Sequence, residues 1–278
     1  MGNTATQPAN TGNTPPSATA SLRIGLLRKL PYFRGRGRLT NLVGPRSGVL
    51  NVDVFGFPMI LDLSDYIQRS IGWGQYEPLE SNILRANLRP GGIFVDVGAN
   101  VGYYTALAGS LVGKTGVVLS FEPDPQCFSR LLKTFEAAQH IQCLNVAVSE
   151  SVGTLKLYMP PESEHNHDSS WLAYCEQMTS FEAVTTTLDI ALCGFRRVQL
   201  LKLDIEGHEP QAIRGGRRTL ESGTVERVLC ELNERLLRMA GSSQAELIEL
   251  IQSCGFVLEN RIGSDVFANA LFRHRSVV

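Results

Sequence analysis

Two acids stand where short apolar runs give way to turn residues. Asp96 lies in Ile93-Phe94-Val95-Asp96-Val97 and is followed by Gly98-Ala99-Asn100-Val101-Gly102-Tyr103-Tyr104-Thr105. Glu122 follows Val117-Val118-Leu119-Ser120-Phe121 and precedes Pro123-Asp124-Pro125. Glycine takes positive φ and lets backbone approach a ligand closely, so Gly98 and Gly102 bracket a tight turn suited to a nucleotide-like ligand. A dinucleotide fingerprint asks for G-x-G-x-x-G, and Asn100 occupies its second glycine. A carboxylate at Asp96 repels a pyrophosphate and suits a cationic ligand. An acid at the place of Glu122 accepts hydrogen bonds from ribose hydroxyls. No G-x-x-x-x-G-K-[ST] occurs, so the sequence has no phosphate P-loop.

A second group follows a later apolar run: Leu203-Asp204-Ile205-Glu206-Gly207-His208-Glu209. His208 is the natural general base there, because imidazole titrates near neutrality. Asp204 is placed to orient an acceptor or a ligand's ammonium, and Glu206 to hold the imidazole. The competing reading is a helix start at Glu209-Pro210, where acids favour the positive end of the dipole. Such an acidic cluster also offers oxygen ligands to Mg²⁺, but no resident metal is expected. Residues 161 to 181 carry Glu164, His165, His167, Asp168 and Trp171 in an irregular stretch. Their spacing is weak for a metal and reads as polar substrate contacts or solvent-exposed loop.

The elements that must position these groups are legible from periodicity. Strands are expected at 93–97, 117–121, 141–148, 198–205 and 227–232, with a closing strand at 266–272. Helices are expected at 103–111, around Phe128, Leu131, Leu132 and Phe135, and around Leu247, Ile248, Leu250 and Ile251. Strand–helix alternation with nearly continuous apolar strands implies a parallel α/β sheet covered on both faces. Ligands of such sheets bind beyond the carboxyl ends of the strands, just after Val97, Phe121, Val146 and Leu203.

With those positions fixed, the motifs resemble a known family. Phe94 to Thr105, Phe121-Glu122-Pro123, Thr187-Leu188-Asp189 and Leu201-Lys202-Leu203-Asp204-Ile205-Glu206-Gly207-His208-Glu209 occur in the order of the FkbM family of S-adenosylmethionine (SAM)-dependent methyltransferases. The likeness runs from about residue 61 to 232. It implies a class I methyltransferase (Rossmann-like) fold, a mostly parallel sheet with helices on both faces and an antiparallel last strand. It implies SAM, whose sulfonium and ammonium suit Asp96, and O-methylation of a hydroxyl on a sugar, glycan or natural product. It assigns Asp96, Gly98, Asn100 and Gly102 to the methionine end of SAM; Tyr104 and Asp204 are further expected contacts of the cofactor. Glu122 takes the ribose, and Asn145 and Ala147 lie near the adenine. Tyr76-Glu77-Pro78 is similar to the family's opening segment, which brings Glu77 to the cofactor pocket. As a residue just ahead of Pro78, Glu77 reads equally well as a helix start.

Composition bounds the alternatives. The chain has 278 residues, 43% of them hydrophobic, enough for one sizeable core. Net charge is -1, so no broad positive field and no nucleic-acid partner are expected. A nucleic-acid methyltransferase and a non-enzymatic interaction protein of the same fold are the alternatives. Residues 1–20 read as a disordered tail, 21–48 as a basic linker or N-terminal helix, and 49–278 as the methyltransferase domain with a small N-terminal motif at 49–90. The six cysteines form no CxxC; several lie in apolar runs and read as small buried residues, and a reduced protein is expected. No apolar run is long enough to span a membrane and no signal peptide is recognised, so a cytoplasmic protein is expected, with a homo-oligomer allowed.

Overall fold

The computed structural model describes residues 24–28, 40, 42, 44–159 and 179–277. The tail, much of the basic segment, and the stretch with Glu164, His165, His167, Asp168 and Trp171 lie outside the described residues. The chain divides into two compact units. One holds the described residues up to Asp53 together with Pro58–Tyr76, and the other holds Val54–Phe57 and the chain from Glu77 onward.

The first unit contains most of a hairpin, β1 (Val49–Val54) and β2 (Phe57–Asp62), followed by helix α1 (Tyr66–Gly72). Asp65 caps that helix by accepting from the Gln68 amide at 2.7 Å. Leu50, Leu61, Leu63, Ile71 and Trp73 are buried.

The second unit opens with α2 (Pro78–Asn87), then β3 (Ile93–Val97), α3 (Tyr103–Val112), β4 (Val117–Phe121), α4 (Pro125–Phe135) and β5 (Ile141–Leu144). A smaller group follows: β6 (Ala147–Val148), β7 (Gly153–Met159), β8 (Thr179–Thr186) and α5 (Leu188–Ala191). The chain returns through β9 (Leu200–Leu203), α6 (Glu209–Gly215), α7 (Arg217–Glu221), β10 (Arg227–Asn233), α8 (Glu234–Met239) and α9 (Gln244–Ser253). It closes with β11 (Phe256–Gly263) and β12 (Phe267–His274). Seven strands form one sheet in the order β11-β12-β10-β9-β3-β4-β5. The run from β10 to β5 is parallel, and β12 is antiparallel to both of its neighbours. The expected α/β class, mostly parallel with an antiparallel last strand, is the one observed.

The alternation of side chains along a strand splits these residues between two faces. Val95, Val97, Leu119, Phe121, Leu201, Leu203, Val228 and Cys230 pack with Leu188, Ala212, Ile213, Leu220, Leu247 and Ile251 from α5, α6, α7 and α9 in one core. The opposite face carries the residues in between, and α3 lies against it through Thr105.

Two expectations are refined. The strand expected at 141–148 is broken after Leu144. Ala147 and Val148 leave the large sheet and pair with Thr185 and Thr186 of β8 in a three-stranded sheet, β6-β8-β7. The strand expected at 198–205 is regular only over Leu200–Leu203, because Asp204 already enters the following turn. Strands β7, β8 and β11, and the short helices α7 and α8, carry too little periodicity to be read beforehand, whereas α6 begins at Glu209, where the sequence offers a helix start. Among the described residues Cys127, Cys230 and Cys254 are buried free thiols, while Cys143 is half-buried and Cys193 exposed.

Candidate functional site

The sheet register assembles a polar row within an apolar layer. Asp96 pairs with Ser120 on one side and with Lys202 on the other, and Ser120 pairs with Cys143. Four adjacent strands therefore present Cys143, Ser120, Asp96 and Lys202 side by side. Two positions further along three of these strands come Glu122, Gly98 and Asp204, and on the neighbouring strand β10 Glu231 continues the row and pairs with Asn269 of β12. This second row lies at or beyond the carboxyl ends of the parallel strands, where ligands of such sheets bind.

Asp96 is fully buried. Its Oδ2 accepts from the Thr105 hydroxyl at 2.7 Å, and that hydroxyl also lies 2.8 Å from the Ser120 hydroxyl. Oδ1 is buried with no partner. Burial raises the Asp96 pKa, and the Lys202 charge and the Thr105 bond oppose that rise. Gly98 (φ 84°) shows why glycine stands next: a Cβ there would lie 1.9 Å from the Asp204 carbonyl oxygen. The turn after β3 thus touches the turn after β9. Asn100 also has positive φ (51°), a conformation Asn tolerates better than most residues.

Glu122 bridges two turns. Its Oε2 accepts from the Asn100 amide at 2.7 Å and its Oε1 from the Asp124 amide at 2.9 Å. These two amides orient the carboxylate. Asn145 is exposed, and its amide donates to the carbonyls of Glu122 and Pro123 at 2.8 and 3.0 Å. It ties down the loop that carries Glu122. Ala147 sits buried in the small sheet.

Lys202, to which the sequence pattern assigns no role, is central here. Among the described residues it is the one lysine or arginine that is buried. Its Nζ donates to Asp204 Oδ2 at 2.7 Å and lies 4.6 Å from the centre of the Tyr104 ring. Burial alone works against its charge, but Asp204, Asp96 and Glu77 outweigh it and raise the pKa above the ordinary lysine value. The Tyr104 hydroxyl donates to Glu77 Oε2. Burial first, then the nearby Asp204, lifts Glu77 to a pKa of about 7. Glu77 is also the N-cap residue of α2, in left-handed conformation (φ 38°), but its side chain makes no capping bond. It starts the helix, as the helix-start reading has it, and points its carboxyl at Tyr104.

The turn after β9 divides its acids by task. Glu209 is almost wholly buried, and its Oε1 accepts from the amides of Ile205 and Gly207 at 2.9 and 3.3 Å. Burial lifts its pKa to about 7, against the pull of those amides. It caps the turn. Glu206 is partly exposed in left-handed conformation (φ 56°). His208 is buried; its Nε2 lies 3.0 Å from the Ser149 hydroxyl, and its Nδ1 has no partner. The imidazole is thus held by Ser149 and not by Glu206. Burial lowers its pKa to about 4, so at neutral pH it is uncharged and a weaker base than an ordinary histidine. Ser149 and His208 line a cleft of about 420 Å³ with Ser151, Thr154, Thr185 and Gln211.

Glu231 was also missed. It is buried on β10 with Oε2 unpartnered, and burial with Asp204, Glu206 and Glu209 nearby raises its pKa strongly. The signal for Lys202 and Glu231 was available as a single charged residue inside each otherwise apolar strand, Leu-Leu-Lys-Leu and Val-Leu-Cys-Glu-Leu. Among the described residues no group of three or more His, Cys, Asp or Glu side chains is arranged to hold a metal ion.

Comparison with known proteins gives three findings. The family model described as the methyltransferase FkbM domain matches residues 96–258. No curated protein matches the chain. Among solved structures, the chain is similar to methyltransferase FkbM from Methylobacillus flagellatus KT at 16% identity and TM-score 0.47, covering 75% of this chain and 52% of that one. It is also similar to Aeropyrum pernix fibrillarin with natively bound S-adenosyl-L-methionine at 12% identity and TM-score 0.45, over 70% and 73% of the two chains. A SAM-dependent methyltransferase from Aquifex aeolicus gives 10% identity and TM-score 0.43, over 70% and 87%. The chain thus spans about half the length of the Methylobacillus protein.

Proposed function

Because the chain belongs to the methyltransferase FkbM domain family, we propose that it transfers a methyl group from SAM to a hydroxyl of a sugar, glycan or other small molecule. The observation that carries the cofactor reading is an acid-rich strand-end cluster with two orphaned buried acceptors. Asp96, Glu77, Asp204 and Glu231 surround one compensating cation, Lys202. Asp96 Oδ1 and Glu231 Oε2 lie buried without a donor. Such a cluster favours a ligand that brings positive charge and N–H donors, and SAM fits on both counts.

In this reading Gly98 and Gly102 let the backbone close on the ligand's methionine end, beside Asp96, Asn100, Tyr104 and Asp204. Glu122, already aimed by two amides, receives the ribose hydroxyls. Asn145 acts by fixing the Glu122 loop, and Ala147 lies next to the adenine side. Bound there, SAM supplies a methyl group on a sulfonium, ready for direct displacement. The protein's share is alignment of the acceptor oxygen and acceptance of its proton. Asp204, Glu206 and His208 flank the acceptor side. With His208 near pKa 4, alignment carries more of the rate than base strength. The domain that does this is proposed to span 49–278. The net charge of -1 supports a small-molecule acceptor over nucleic acid.

Calorimetry with SAM and S-adenosylhomocysteine tests the cofactor half. The wild type should bind at micromolar levels. Glu122→Ala, which removes a charged acceptor, should bind roughly ten- to a hundredfold more weakly, about 1.5–3 kcal/mol. No binding of either ligand by the wild type overturns the reading. For the acceptor half, turnover of a panel of hydroxylated sugars is compared with that of RNA. Methylation of RNA, with steeply salt-dependent binding, would move the protein to the nucleic-acid alternative.

A further inference from the structure

We propose that Lys202 is a positioning residue: its buried ammonium, in register beside Asp96 and bonded to Asp204, holds the surrounding carboxylates in the arrangement that receives a cationic ligand. The ligand half of this inference rests on the SAM reading above; the electrostatic half does not.

The geometry is specific. Lys202 sits in the middle of a strand whose other residues, Leu200, Leu201 and Leu203, are wholly buried. Charged groups reach it from every element packed around it. Asp96 comes from β3, Asp204 from the end of its own strand, Glu77 from the N-cap of α2, and Glu231 from β10, with Cys230 beside Glu231. The Tyr104 ring of α3 lies under the ammonium, and the same tyrosine donates to Glu77. One cation thus touches or offsets acids from four elements. It is no candidate base, since its pKa is raised and it stays protonated at neutral pH.

Two consequences follow from charge alone. Lys202 opposes the rise in pKa that burial imposes on Asp96 and on Glu77. Removing it leaves those acids buried with less compensation, so they take up protons and present fewer negative charges to a cation. A structural role through packing alone predicts no such proton uptake. The two therefore separate on a pH axis.

The test compares wild type, Lys202→Met and Lys202→Arg from pH 5.5 to 8.5. SAM affinity is read by calorimetry and folded-state stability by thermal melting. For the wild type, affinity should rise with pH through a midpoint near pH 7, where Glu77 is half ionised, and level off above it. For Lys202→Met, the midpoint should move up by about one pH unit and affinity at pH 7 should fall about tenfold, with partial recovery at pH 8.5. Its melting temperature should drop below wild type by more at pH 8.5 than at pH 5.5, a difference read without any ligand. Lys202→Arg keeps the charge and should keep the wild-type midpoint even where affinity falls. Weaker binding of Lys202→Met at every pH with an unmoved midpoint, or equal midpoint shifts in the Met and Arg variants, overturns the inference. If Lys202→Met does not fold at pH 7, Lys202→Gln replaces it; recovery of a folded neutral variant at pH 5.5 supports the proposal, and failure at every pH while Lys202→Arg folds normally at all of them without pH-dependent loss overturns it. If the wild type binds no SAM, the cofactor reading falls, and the pH dependence of the melting difference alone decides the role of Lys202.

Discussion

Single residues at this site are defined by what they lack as much as by what they bind. Asp96 keeps one side-chain bond, from the Thr105 hydroxyl, and one bare oxygen. Thr105→Val removes that hydroxyl and leaves a buried carboxyl with only the Thr105 backbone as donor. The expected loss is about 1–3 kcal/mol of folding stability, read by chemical denaturation. The loss should be larger at pH 8 than at pH 5.5, because the variant Asp96 is then forced to ionise without that bond. Equal losses at both pH values would mean that Thr105 acts only by filling space. Of the acids read from the sequence, Asp96, Glu122 and Asp204 arrive at one edge of the sheet, because each follows an apolar run that becomes a parallel strand. Lys202 and Glu231 went unread because a lone charge in a strand has no sequence context that tells which charge it will face.

At the scale of elements, the turn from β9 into α6 depends on Glu209, whose one oxygen gathers two backbone amides. A glutamine offers the same carbonyl oxygen with no charge to bury. Glu209→Gln should therefore fold as well as wild type at pH 5.5 and melt higher at pH 8, where wild-type Glu209 is ionised at a cost of up to about 3 kcal/mol for a shift from 4.5 to about 7. Glu209→Ala should melt lower at both pH values, having lost the acceptor. A lower melting point of Glu209→Gln at pH 8 would mean that the charge itself is needed. The turn from β3 into α3 offers a steric counterpart. Gly98→Ala places a Cβ on the Asp204 carbonyl and strains a positive φ. SAM affinity should fall at least tenfold, with the melting temperature also lowered; unchanged affinity by calorimetry would separate this turn from the ligand. Helix starts were readable where Pro and Asp mark them, as at Asp124-Pro125. The break after Leu144 was not, because the single Asn145 is flanked by apolar residues on both sides and only the pairing of Ala147 with Thr185 reveals the change of sheet.

Across the whole molecule, buried acids set the response to pH. Glu77, Glu209, Asp96 and Glu231 all have raised pKa values in the folded state. Stability from such groups is full below their unfolded values, near 4.5, and is lost as pH rises through about 7 for Glu77 and Glu209. His208 works oppositely: its pKa is lowered to about 4, so its contribution is full above 6.5 and lost as pH falls toward 4. Several acids against one such histidine in the site predict a lower melting temperature at pH 8.5 than at pH 6. SAM should restore more of it at pH 8.5, since a cation relieves ionised carboxylates. A flat melting profile would contradict the crowding of acids. The sequence by itself determined the α/β class, the parallel strands, the glycine turn and the acids at strand ends, because each is encoded locally in periodicity or in a backbone requirement. Only the tertiary structure decided that Lys202 stands beside Asp96, that Ser149 holds His208 and that Glu77 meets Tyr104. Those are pairings between distant segments, fixed by sheet register and packing, and no single stretch of chain carries the information for both partners.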